Sequence, residues 1–167
     1  MSTTVSNAAV SNLPTALVPG VLALLPRYAS IEDPVADVRA ACLTAVAALG
    51  PRVLVRASGE SGAQVGRALL EAVGVDETPD AASATGVLVV GNGTAKRTEK
   101  APGHLDERAE AFDAAVAADP YAVDAALAEE LWADVGAFDA LPGAIGEAEV
   151  LLDAAPFGVQ YWVALWR

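Results

Sequence analysis

Few side chains in this sequence could carry chemistry, and their number limits what chemistry that is. The chain has one histidine, His104, whereas a ferrous site of the two-histidine, one-carboxylate type needs two imidazoles. A single copy therefore cannot build one. Acidic residues are abundant, but no D-x-D-x-D-G spacing of the calcium-loop kind occurs, and solvated surface carboxylates account for them more simply. No metal and no cofactor is expected. The one cysteine, Cys42, falls on the apolar stripe of a helical pattern, where burial keeps a thiol protonated and inert. Ser61, in Gly59-Glu60-Ser61-Gly62-Ala63, lies between a strand pattern and a helix pattern as a nucleophile elbow would. The last glycine of G-x-S-x-G is missing, however, and only His104 could serve as its base. A Gly-rich strand-to-helix turn explains the segment, and no catalytic residue is assigned.

A more informative group is Gly91, Asn92, Gly93 and Thr94 at the end of an apolar strand pattern, followed by Lys96, Arg97 and Lys100 and then by His104. In an open α/β sheet, ligands bind in the crevice beyond the carboxyl ends of the strands. Glycines let backbone N–H groups approach a ligand closely, and three cations in five positions stand out in an acidic chain. The group predicts a site for a small carboxylate or phosphate. The alternative is that the glycines shape a turn and the cations pair with Glu99, Asp106 and Glu107. His104 likewise is either a titratable group at the mouth of the crevice or an exposed loop residue between Gly103 and Leu105.

The elements that must position this group read as alternating strands and helices, the pattern of a single α/β domain with a central, mixed, mostly parallel sheet flanked by helices. Strands are expected at Ala16–Val18, Arg52–Arg56, Gly86–Val90, Glu149–Leu152 and Val159–Trp166. The last is apolar on both faces and so belongs inside the sheet or beneath a partner such as a second copy, which makes a homo-oligomer one expectation. One helix starts at Asp33-Pro34, places Val35, Val38, Cys42, Ala45, Val46 and Leu49 on one stripe, and stops at Gly50-Pro51. A second covers Ala63–Val73 and ends at Gly74. Two more are expected at Glu107–Ala118, capped by Asp106, and at Pro120–Val135, capped by Asp119, with Val123, Leu127, Leu131 and Val135 aligned.

The 167 residues, 54% apolar, suffice for one core, and no apolar run reaches the ~20 residues a membrane helix needs. Residues 1–12 read as a flexible tail and 13–167 as the domain. No Lys or Arg precedes Arg27, and Pro14, Pro19 and Pro26 interrupt the apolar stretch, so a signal peptide is not indicated and a cytoplasmic location is expected. With 22 acidic and 10 basic residues the net charge is -12, which makes nucleic acid and anionic membrane poor partners.

The segment from Gly91 through Arg108, GNGTAKRTEKAPGHLDER, followed by Phe112-Asp113-Ala114-Ala115-Val116, resembles the hallmark segment of bacterial proteins of the class III extradiol ring-cleavage dioxygenase family of the LigB type. The ending Leu152-Asp153-Ala154-Ala155-Pro156-Phe157-Gly158-Val159-Gln160-Tyr161 is similar to that family's C-terminal segment. The resemblance implies a LigB-like α/β fold. In active members two histidines and a glutamate hold ferrous iron, and a further histidine after the Gly-rich strand end acts as acid and base on a catechol. Here Arg97 or a close neighbour stands where that histidine is expected. The resemblance thus implies a ligand crevice, for a small anionic or aromatic ligand, without the iron. A non-catalytic domain that binds such a ligand or a protein partner is the first expectation. The alternatives are an enzyme with altered, metal-independent chemistry built on Lys96, Arg97, Lys100 or His104, and a residual extradiol-type dioxygenase.

Overall fold

A computed structural model describes residues 12–26 and 33–167. The expected tail, residues 1–12, lies outside them except for Asn12. Six strands form one sheet: β1 (Thr15–Val18), β2 (Arg52–Ala57), β3 (Asp76–Glu77), β4 (Gly86–Val90), β5 (Glu149–Ala154) and β6 (Tyr161–Trp166), in the order β3-β2-β4-β1-β6-β5. The β3–β2, β2–β4 and β4–β1 pairs are parallel, and β6 runs antiparallel to both β1 and β5. The chain is thus an α/β domain with a mixed, mostly parallel sheet and helices on both faces.

The two faces follow from strand alternation. In β4, Leu88 and Val90 point to one core with Val38, Cys42 and Val46 of α1 (Ala36–Ala47) and Val65, Leu69 and Leu70 of α2 (Glu60–Val73). Val87 and Val89 point to the other, with Phe112 and Val116 of α3 (Ala109–Ala118), Ala128 of α4 (Ala125–Glu130), and Phe138 and Trp162. All five β4 residues are buried, as expected of a strand in the middle of a parallel sheet. Strand β6 is covered the same way: Tyr161, Val163 and Leu165 face the first core, Trp162 and Ala164 the second. Its two apolar faces are therefore satisfied within one chain, and they give no reason for a second copy.

Helix boundaries show where local signals were decisive. Gly74, at φ 84°, closes α2 by donating its N–H to the Leu70 and Glu71 carbonyls, the left-handed cap expected of it. Asp33 accepts the Val35 N–H at 3.1 Å and an Arg39 N–H at 2.9 Å, holding the turn that leads into α1 at Ala36. Helix α3 starts at Ala109 rather than Glu107, because the Asp106 carboxylate binds the backbone and guanidinium of Arg108 ahead of the first turn.

The helix expected over Pro120–Val135 is a correction. Only Ala125–Glu130 is helical, and its cap is Asp124, which accepts the Leu127 N–H at 3.1 Å. Asp119 instead closes a turn on the Tyr121 N–H. At the other end Trp132 adopts φ 59°, which no helix tolerates, and redirects the chain. Leu131 and Val135 are still buried and Val123 and Leu127 half-buried against the same core, so the four-residue apolar spacing marked the inward side but overstated the helix length.

Candidate functional site

The carboxyl ends of β1, β2 and β4 lie together, and the residues just beyond them meet there. Asn92 pairs through its backbone with Asp134 in both directions, at 2.9 Å each way, and its side-chain oxygen accepts the Gly20 N–H at 3.3 Å. Ser58, beyond β2, donates its hydroxyl to the Asp134 carboxylate. Gly93 and Thr94 pair with Gln160 at the entry to β6, at 2.8 and 2.9 Å. A side chain at Gly91 would strike the Asp134 carbonyl and the Phe138 ring, and one at Gly93 would strike the Asp113 carboxylate. These glycines are needed for close packing against protein.

Behind this loop lies a closed polar network. Asp113 of α3, almost fully buried, accepts the Thr94 N–H and the Thr94 hydroxyl, both at 2.8 Å, and pairs with Arg97 at 3.3 Å. Arg97 also donates to the Gln160 side-chain carbonyl at 2.6 Å, and the Gln160 amide donates to Asp153 at 2.7 Å. Burial pushes the Asp113 carboxyl above the usual carboxylate range, outweighing the opposing pull of the Thr94 hydrogen bonds and the Arg97 charge. Arg97, Asp113, Asp153 and Gln160, with Glu110 and Trp162, line a cleft of about 190 Å³. Its one cation, Arg97, already has a carboxylate partner.

The other cations singled out in the sequence go elsewhere. Lys96 donates to the Gly103 carbonyl at 3.0 Å and sits 5.4 Å from the Trp132 ring centre. Lys100 is exposed and lines a separate hollow with Thr98, Glu99, Pro156 and Phe157. His104 is exposed at φ 60°, with its ring nitrogen 3.4 Å from the Glu99 carbonyl. Lys96 thus reaches the backbone beside His104, while Arg97 and Lys100 line two different hollows. The pairing alternative also needs correcting: Asp113, not Glu99, Asp106 or Glu107, is the partner of Arg97. Asp106 belongs to Arg108, whose hydrogen bonds hold its carboxyl down at about 2.

Sequence reasoning missed Asp113, Asp134, Ser58 and Arg56. For Asp113 a signal existed: Ala109, Phe112, Asp113 and Val116 form the buried stripe of α3, and a carboxylate on such a stripe requires partners. Asp134 and Ser58 carried no such signal, because their meeting depends on strand order. Arg56 sits near the end of β2 and lines a second cleft of about 240 Å³ with Ala57, Gly136, Ala137, Asp139 and Ala140.

The donors present do not fit a ferrous ion. The one imidazole lies on an outer loop, and among the described residues the carboxylate that meets the neutral Asn92 and Ser58 is Asp134. Among the described residues no three His, Cys, Asp or Glu side chains gather as a metal ligand set. Cys42 is buried in the first core, which pushes its thiol up to about 12. Among the described residues no helix is long and apolar enough to cross a membrane. Compared with known proteins, the chain matches no family model, no curated protein and no solved structure.

Proposed function

We propose that this chain is a LigB-like domain of cytoplasmic type that has lost ring-cleavage chemistry and recognises a small polar ligand at the carboxyl ends of its parallel strands. The observation that carries the reading is the state of Arg97. The resemblance puts this residue, or one beside it, where an acid/base histidine would stand. Its guanidinium is held by the buried Asp113 and by Gln160, and an arginine does not give up a proton at neutral pH. A group so fixed stabilises the loop and transfers nothing. Concave clefts at the strand ends favour a small ligand over a protein partner as the occupant.

The test is metal analysis of the purified chain together with oxygen-electrode assays on catechol and protocatechuate, with and without added Fe(II). The expected result is no retained iron and no oxygen uptake above a protein-free control. Stoichiometric iron with turnover would overturn the reading and require copies of the chain to assemble a site jointly.

A further inference from the structure

The cleft beside the end of β2 is lined, among the described residues, by one cationic and one anionic side chain, Arg56 and Asp139. Arg56 is half-buried and Asp139 exposed. Neither side chain makes a hydrogen bond or ion pair with any described residue, and they do not pair with each other, although Asp33–Arg39, Arg67–Glu77, Arg97–Asp113 and Arg108–Asp106 all do so. Two opposite charges therefore share one concave space without neutralising one another. The backbone N–H groups of Gly136 and Ala137, on the same wall, likewise donate to no other described residue. A side chain at Gly136 would bring a carbon within 2.9 Å of Ser58 Cβ, so this wall stays bare. The remaining lining, Ala57, Ala137 and Ala140, is small and apolar.

We infer that this cleft binds a small zwitterion, a short ammonium carboxylate of the α-amino-acid class, with its carboxylate on Arg56 and its ammonium on Asp139. The inference rests on the reading of the chain as a binding domain and names the ligand class for it. Charge decides against simpler ligands. A free anion would meet both Asp139 and the field of a chain with net charge -12, and a free cation would meet Arg56. A zwitterion carries no net charge into that field and satisfies both groups at once. Size decides against larger ones, since about 240 Å³ lies below the range of roughly 300–1,000 Å³ that takes drug-sized molecules.

Calorimetric titration of the full chain with glycine and L-alanine tests this, with acetate and methylammonium as the two halves. Saturable binding of an amino acid at least tenfold tighter than either half is expected. Arg56→Gln and Asp139→Asn should each weaken it at least tenfold while the far-UV CD spectrum and the thermal midpoint stay unchanged. Because Asp139 is exposed, its variant remains informative even where the Arg56 variant fails to fold. Absence of saturable amino-acid binding would overturn the inference, as would acetate binding as tightly as glycine or an Asp139→Asn variant of unchanged affinity. Oxygen uptake with catechols would instead overturn the binding-domain reading, so the two failures are distinguishable.

Discussion

Arg97 and Arg56 both stand near the carboxyl ends of strands in one sheet, yet their surroundings differ. Arg97 sits in a chain of contacts, Thr94–Asp113–Arg97–Gln160–Asp153, that ties the loop after β4 to α3 and to both C-terminal strands. Arg56 lines a cleft of similar size without a described partner. The difference teaches that a cation near a strand end is not by itself a ligand site. What matters is whether the fold has already supplied the counter-charge, because a buried charge without a partner is destabilising whereas a half-exposed one keeps part of its hydration.

Five substitutions put this contrast to the test. The largest effect is expected for Asp113→Ala, which leaves the Thr94 N–H and hydroxyl and the Arg97 guanidinium without their acceptor; a loss of about 3 kcal/mol should appear in urea unfolding. A loss below about 1 kcal/mol would mean that the network tolerates being opened and that Arg97 is available after all.

Gly93→Ala attacks the same network from the backbone. The added methyl would strike the Asp113 carboxylate and Gln160, and about 1–3 kcal/mol of destabilisation is expected from such overpacking, read from the same denaturation curves.

On the other side, Arg56→Gln should change stability by no more than about 0.5 kcal/mol, since no described contact is lost. A loss as large as that of Asp113→Ala would erase the distinction between the two arginines.

The smallest effect concerns Asp106, half-buried beside Arg108. Its carboxyl is held down at about 2, below the unfolded value near 3.9, so its contribution is present above pH 4 and is lost as the pH falls from about 4 to about 2. In Asp106→Asn that part of the acid dependence should vanish from stability curves recorded between pH 5 and 2. Asp113 has the opposite sign. With its folded pKa raised, the pH-dependent part of its contribution is full below the unfolded value and fades as the pH rises through the folded one. An Asp113→Asn variant should therefore lose stability less steeply than the parent as the pH is raised from 4 towards neutrality.

Much of the fold was legible in the sequence because local rules governed it. The continuous apolar run Gly86–Val90 marks a strand buried on both faces, Gly74 marks a helix end that needs positive φ, and the stripe through Val38, Cys42 and Val46 marks the face that packs on the sheet. Each is decided by chain geometry within a few residues. The stretch from Pro120 to Val135 misleads for the same reason: apolar spacing reports which side faces the core, and a short helix between two turns turns the same positions inward as a long one.

Local rules alone specify an acidic α/β domain with a Gly-rich strand end, one buried thiol and too few histidines for an iron site. Which cations have partners is set by how the chain folds in space. Lys96, Arg97 and Lys100 are near neighbours in sequence but reach three separate places, while Arg97 and Asp113 lie 16 residues apart and Ser58 and Asp134 lie 76 apart, and both pairs meet. The physical reason is that Coulomb attraction and hydrogen bonding fall off with distance in space, and strand order and helix packing set that distance.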